Sequence, residues 1–227
     1  HPPKDETAIV TQFSAYPLDG LGLLKMDFLG LRNLTIIDRA LRIIENNHGV
    51  KIDINKLPMD DQKVFDVFAN GDTTGIFQFE SAGMRRYLQE LVPNTFEDII
   101  VMVSLYRPGP MLYIPTYIKR KHGKEKVKYP HESLAQILQL TQGIAVYQEQ
   151  IMQIVQAFAG FSLGEADILR RAMGKKIKEL MDEQKGKFIE AATKLGHSEK
   201  LATYIFTDII EPFAGYGFNK SHAACYS

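Results

Sequence analysis

The chain has no tryptophan, only one cysteine, and no long apolar run. A lone thiol, Cys225, excludes a disulfide framework, and with six scattered histidines it leaves no Cys/His cluster of metal-ligand spacing. No stretch approaches the roughly 18 uninterrupted apolar residues of a membrane span, and no basic-then-apolar leader opens the chain, so a cytoplasmic protein without a membrane partner is expected. A Gly-x-Ser-x-Gly elbow, a Walker-type Gly-Lys-Ser/Thr loop and internal repeats are also missing. Net charge is absent too: 27 Lys and Arg balance 27 Asp and Glu, so whole-chain charge argues neither for nor against a nucleic-acid partner.

What is present is a globular composition, 45% hydrophobic over 227 residues, enough for one large or two small domains with a packed core. The chain starts with His1 and stops in SHAACYS, which reads as a helix just begun, so a piece of a longer polypeptide is expected. Its charge is patchy. Residues 107–128 hold seven cations (Arg107, Lys119, Arg120, Lys121, Lys124, Lys126, Lys128) against Glu125 alone. Residues 170–187 hold seven cations against three acids. Such runs fit an anion-facing surface, although a basic run is more often merely solvated.

The pattern predicts mostly helices. Leu24, Met26 and Phe28 alternate with Lys25 and Asp27, the period of a strand with one covered face. Asn33 then caps a helix with Ile37, Leu41 and Ile44 inward, ending at His48-Gly49. Short extended pieces are expected at Lys51–Ile54 and Gly75–Phe79. Helices follow after Pro58, over Ser81–Leu91 and over Thr95–Leu105. Arg107-Pro108-Gly109-Pro110 makes a rigid corner, since two prolines around a glycine forbid helix. Pro115–Lys121 and Ser133–Leu140 are helical again. Ile151, Ile154, Val155 and Phe158 line one side of the next helix, which Gly160 stops; Ser162 and Glu165 form a capping box for its successor, with Leu163, Ala166, Leu169 and Met173 buried. Ile177–Leu195 and a helix capped by Ser198, with Pro212 beyond its end, complete the run.

Arg171, Lys175 and Lys178 share a helix side and present a row of positive charge. Asp167, Glu179 and Asp182 stand at pairing distance, so ordinary surface ion pairs are the plain reading. Against it, one Asp167 cannot serve both Arg170 and Arg171, and guanidinium suits phosphate best. Arg107, Arg170, Arg171 and Lys175 could therefore clamp a polyphosphate. Asn219, Lys220, Ser221 and His222 follow a glycine turn at a helix mouth, where free N–H groups favour phosphate. Tyr106, Tyr113 and Tyr117 flank the first basic run and are candidates for a base or sugar, whereas Phe65, Phe68, Phe77 and Phe79 read as core. Asp27 taken alone is more often structural than catalytic, and no second carboxylate stands beside it.

The segments KMDFLGLRNLTII, GIFQFESAGMR, SLYRPGP, YQEQIMQI, LRRAMGKK and FAGYGFNKSHAA, in this order, resemble signature segments of the alpha subunit of bacterial DNA polymerase III, the C-family replicative DNA polymerases. The resemblance covers nearly the whole chain. It implies a mainly α fold, a helical fingers domain over 32–227 truncated at its C-terminal end, preceded over 1–31 by the last strand and helix of an α/β nucleotidyltransferase-like palm. By resemblance, Asp27 matches a metal-binding palm aspartate, with Lys25 facing the nucleotide or primer end. Arg170, Arg171, Lys175, Asn219, Lys220 and His222 would meet the incoming triphosphate, and Arg107, Lys119, Arg120 and Lys121 nucleic acid. Two Mg²⁺ ions, primer–template DNA, deoxynucleoside triphosphates, and a sliding clamp, clamp loader and proofreading exonuclease reached through the longer polypeptide are implied. The family's upstream paired aspartates and thumb are missing, so this piece alone is expected to be inactive. A non-enzymatic helical module binding nucleic-acid backbone through 107–128 is the alternative.

Overall fold

The computed structural model describes residues 9–24, 26, 30–175, 178–213 and 216–227, and of 15, 16, 19, 174, 175 and 178 the backbone alone. It forms two compact units, His1–Lys56 and Leu57–Ser227. The described residues are helical, with no strand among them; Tyr147 and Phe218 make an isolated parallel bridge.

The first unit holds helices α1 (Ala15–Gly20) and α2 (Arg32–His48). Gly49, at φ 66°, ends α2 in the left-handed conformation that glycine adopts without a Cβ penalty. Two expectations differ from what is found. The capping position is taken by Leu31, with no side-chain cap, rather than by Asn33, which lies inside the first turn. The stripe of Ile37, Leu41 and Ile44 is present as a pattern, but α2 buries no residue, and Ile37 is 44% exposed. Among the described residues of this unit no second layer covers that stripe. The expected strand rests on Lys25, Asp27 and Phe28, which lie outside the described residues, as do the catalytic roles assigned to Lys25 and Asp27; Leu24 and Met26 are exposed and outside any strand.

The second unit is built on two hydrophobic clusters. The first gathers α3 (Gln62–Asn70), α4 (Ala82–Leu91), α5 (Phe96–Leu105), α6 (Ile114–Lys121) and, from the far end of the chain, Ala223. Local signals set their ends. Asp61 accepts from the Lys63 N–H and Ser81 from the Met84 N–H, while Thr95 and Asp98 cap α5 reciprocally. Phe65, Phe68 and Phe79 are buried as expected, each contributing about 1.5–3 kcal/mol of apolar burial, whereas Phe77, expected with them in the core, is half-buried beside Tyr226. Gly75–Phe79 is a succession of turns rather than a strand. The Ile76 N–H bonds the Thr73 carbonyl and the Phe79 N–H the Ile76 carbonyl, and Gln78 takes a positive φ of 72°.

The second cluster gathers α7 (Ala135–Leu138), α8 (Gln148–Ala159), α9 (Leu163–Lys175), α10 (Lys178–Lys194), α11 (Glu199–Tyr204) and α12 (Glu211–Phe213). Ile151, Ile154, Val155 and Phe158 are all buried, and Gly160 ends α8 at φ 69°. The Ser162–Glu165 box opens α9, where Ala166, Leu169 and Met173 are buried but Leu163, in the first turn, is 65% exposed. Pro212 does not lie beyond a helix end. Ile205–Ile210 is a π-helical segment that carries α11 through to Phe213. Proline lacks an N–H and its ring collides with the carbonyl four residues back, at Asp208, and the wider turn relieves that clash. A last helix, α13 (Lys220–Tyr226), packs on α5.

Candidate functional site

On α9 one carboxylate serves two guanidiniums. Asp167 Oδ1 lies 2.8 Å from Arg170 Nη2 and accepts from Arg170 Nε at 2.8 Å, while Asp167 Oδ2 lies 2.7 Å from Arg171 Nη2. The expectation that Asp167 could not answer both is corrected: a carboxylate has an oxygen for each fork, and offsets of three and four place both arginines over it. These bonds, Arg170's first, hold the Asp167 carboxyl below the usual carboxylate range. The pair still leaves one positive charge in excess, and the Arg171 side chain is 68% exposed. Lys175 is on the same helix, its side chain outside the description.

The start of α13 is occupied rather than open. Asn219 caps it by accepting from the His222 N–H at 2.8 Å and donates from Nδ2 to Glu149 Oε1 at 3.0 Å. The Lys220 N–H meets both Glu149 oxygens at 3.1 Å. The Lys220 ammonium lies 2.9 Å from Glu97 Oε1 and 5.1 Å from the centre of the Tyr147 ring. The Tyr147 hydroxyl donates to the same Glu97 at 3.1 Å, and burial, with that carboxylate beside it, pushes the phenol far up. Of the N–H groups expected there for phosphate, that of Lys220 is thus taken by the Glu149 carboxylate and that of His222 by the Asn219 amide oxygen. The His222 ring is exposed, flanked by Phe218 and Tyr226. Among the described residues no hydrogen bond or ion pair joins the Arg170–Arg171 pair to Asn219, Lys220 or His222.

Three of the seven cations of the basic run 107–128 turn inward: Arg107, Arg120 and Lys121. Arg107 sits at the expected corner, its Nη2 donating to the Tyr216 carbonyl and its guanidinium 4.5 Å from the centre of the Phe218 ring. Burial pushes its pKa down, though a guanidinium stays charged. Arg120 donates to Glu125 at 2.9 Å and to the Gln142 carbonyl at 2.9 Å. Lys121 reaches Asn94 Oδ1 at 2.9 Å and the buried carboxylate of Asp98. Asp98 also accepts from the Tyr117 hydroxyl at 3.0 Å and from the Thr95 hydroxyl at 2.8 Å. Burial alone would raise the Asp98 carboxyl, but Lys121 and these hydrogen bonds hold it below its ordinary value. Arg120 and Lys121 are therefore structural cations, and Tyr117 is a buried donor rather than a surface contact. Lys119, Lys124, Lys126 and Lys128 are exposed. Sequence reasoning did not find Asp98, Glu97 or Glu149, since each is an ordinary first-turn acid until a distant group is folded onto it: Lys121 on Asp98, Lys220 on Glu97, and the Asn219 amide and Lys220 N–H on Glu149.

Among the described residues no group of three or more His, Cys, Asp or Glu could hold a metal ion, and no helix is long and apolar enough to cross a membrane. Comparison with known proteins adds what geometry alone does not. The family described as the bacterial DNA polymerase III alpha subunit finger domain matches residues 33–196. The chain is 52% identical over 224 residues to a DNA polymerase III subunit alpha of Staphylococcus aureus (strain COL), covering 99% of this chain and 21% of that protein. It is 52% identical over 222 residues to the DNA polymerase III subunit alpha of Bacillus subtilis (strain 168), covering 98% of this chain and 20% of that protein. The chain thus spans about a fifth of the length of the curated relatives it matches.

Proposed function

This chain belongs to the family of bacterial DNA polymerase III alpha subunits, whose finger domain it carries, and from that premise we propose that its helical unit grips the triphosphate of an incoming deoxynucleotide opposite a template base. The observation that supports this best is the Arg170–Asp167–Arg171 arrangement. Two planar forks held by one carboxylate keep an unanswered positive charge on an exposed helix side, and such forks match phosphate oxygens. Lys175, Asn219, Lys220 and His222 extend the grip, with Lys220 exchanging Glu97 for phosphate. Finger helices then act by positioning and by closing over the nucleotide.

In this reading residues 1–31 end the palm with its last strand and helix, residues 32–227 are fingers, Asp27 is a magnesium ligand, and Lys25 faces the primer end. Two magnesium ions, when bound, supply activation of the primer 3′-hydroxyl and stabilisation of the departing pyrophosphate. Magnesium prefers octahedral oxygen coordination, and one carboxylate, Asp27, does not fill such a site. The remaining carboxylates come from outside these residues. Primer–template DNA, and through the longer polypeptide a sliding clamp, clamp loader and proofreading exonuclease, are the partners; the compartment is the cytoplasm, and this piece alone does not polymerise. A non-enzymatic backbone-binding module working through the whole of 107–128 is weakened by the inward use of Arg107, Arg120 and Lys121, which leaves only the exposed lysines of that run to meet phosphate.

The test is single-nucleotide primer extension by the longer polypeptide carrying this segment. Arg171→Gln and Arg170→Gln are expected to raise the triphosphate KM about 10- to 100-fold, as losing a charge-assisted hydrogen bond does. Asp27→Asn is expected to cost several decades of kcat with the fold intact. An unchanged KM in both arginine variants removes the triphosphate reading of α9.

A further inference from the structure

A cleft of about 580 Å³ in the second unit is left unused by the function proposed above. Its volume is that of a typical ligand pocket. Four tyrosines line it: Tyr113, Tyr129, Tyr204 and Tyr216. Tyr113 and Tyr216 are locked together, hydroxyl to hydroxyl at 3.1 Å with ring centres 5.6 Å apart. Tyr129 and Tyr204 are 36% and 48% exposed. Lys128 contributes charge at the same wall, opposite the carboxylate of Asp208, while Arg120 lines the wall with its guanidinium already paired to Glu125.

Two backbone features build this wall. Gly143 has φ 78°, and a Cβ there would stand 2.6 Å from the Lys128 carbonyl and 3.2 Å from Arg120 Nη1, so only glycine lets the two segments approach. Asp208 and Ile209 belong to the π-helical segment, and Tyr204 is the residue before it. Such wide turns re-aim side chains and recur at functional sites. Beyond Lys128, the exposed Lys126 and Lys124 continue the positive charge along the chain past the cleft.

We infer that this cleft seats one or two unstacked bases of an unpaired DNA strand, stacked on Tyr129 and Tyr204, with Lys128, Lys126 and Lys124 following its phosphates. Aromatic faces beside a basic track are what sequence-tolerant binding of a single strand needs, since every base has a π-face and a duplex hides it. A free mononucleotide would have no use for the lysines past the cleft. The choice of DNA over RNA rests on the family; the site itself does not depend on the triphosphate reading of α9.

The test is fluorescence anisotropy of a labelled twelve-residue oligothymidylate with the 227-residue chain, in EDTA and without nucleoside triphosphate. Wild type is expected to bind with an affinity that falls steeply with salt. Tyr204→Leu and Tyr129→Leu should each weaken it about 5- to 150-fold, the loss of one stacked base, while Lys187→Ala leaves it unchanged. Lys128→Glu, at an exposed position that does not threaten folding, should weaken binding and flatten the salt slope. Circular dichroism checks each variant. No binding by wild type at low salt, equal losses on a matched duplex, or unchanged affinity in both tyrosine variants would overturn the inference, and tighter binding of oligouridylate would overturn the assignment to DNA. Failure of the arginine variants to raise KM in primer extension leaves these readouts untouched, so the two readings fail separately.

Discussion

Residues 107–128 and 170–187 carry the same number of cations, seven each, yet the fold uses them in different ways. In the first stretch Arg107, Arg120 and Lys121 reach partners 109, 22 and 23 residues away: the Tyr216 and Gln142 carbonyls and the Asp98 carboxylate. In the second, Arg171 and Lys187 pair with carboxylates four residues back on their own helices and remain mostly in water. The run with the larger local excess of charge therefore commits Arg107, Arg120 and Lys121 to the fold and keeps only Lys119, Lys124, Lys126 and Lys128 at the surface. Desolvation explains this. A cation taken out of water needs strong, fixed partners, and those come from elsewhere in the fold; a cation left in water can be exchanged to a ligand at little cost.

The comparison breaks most visibly at Lys121. Its side chain is 12% exposed and that of Asp98 5%, so Lys121→Met leaves a buried carboxylate without its counter-charge and is expected to cost about 3–5 kcal/mol in urea unfolding. The pH dependence sharpens the point. Because the folded Asp98 carboxyl is held below its unfolded value, its ionised form contributes stability above the usual carboxylate range, and that contribution is lost as pH falls through the depressed folded pKa. The gap in stability between wild type and Asp98→Asn is therefore expected to be full at neutral pH and to close in acid, below about pH 4. A gap that persisted unchanged to pH 2 would mean that the Asp98 charge contributes nothing.

Arg120 gives the next largest effect. Its guanidinium holds Glu125 and the Gln142 carbonyl at once, a geometry an ammonium cannot copy. Arg120→Lys is expected to lose about 1–2 kcal/mol, read as a lower urea midpoint with an unchanged slope. A neutral result would return Arg120 to the class of exposed cations.

How much of this could be read beforehand follows from the same division. Gly49 and Gly160 as helix ends, Ser162 with Glu165 as a capping box, and the buried side of Ile151, Ile154, Val155 and Phe158 were legible because each depends on residues within a turn or two. The order of six short segments also pointed to the family. What was not legible was partner choice over long separations. Lys121 and Lys119 are indistinguishable in sequence, two residues apart in one basic run, yet one faces Asp98 and the other solvent. The π-helical segment before Pro212 and the glutamates at the mouth of α13 escaped for the same reason. Each is a tertiary compromise that leaves no periodic mark.

The smallest effect on stability is expected where the largest effect on ligand is proposed. Arg171 shares Asp167 with Arg170, and removing one of two guanidiniums leaves that carboxylate still paired. An exposed ion pair on a helix contributes about 0.3–0.5 kcal/mol, and part of that survives through Arg170. Arg171→Gln is thus expected to shift the urea midpoint by less than about 0.5 kcal/mol equivalent, while Lys187→Ala, whose partner Glu183 also lies in water, behaves alike. The two differ only with triphosphate present: Arg171→Gln raises KM in primer extension and Lys187→Ala does not. If both left KM unchanged, the second stretch would be a solvated face like any other, and the contrast with 107–128 would reduce to burial alone. If Arg171→Gln instead destabilised as much as Arg120→Lys, its charge would be committed to the fold and unavailable for exchange.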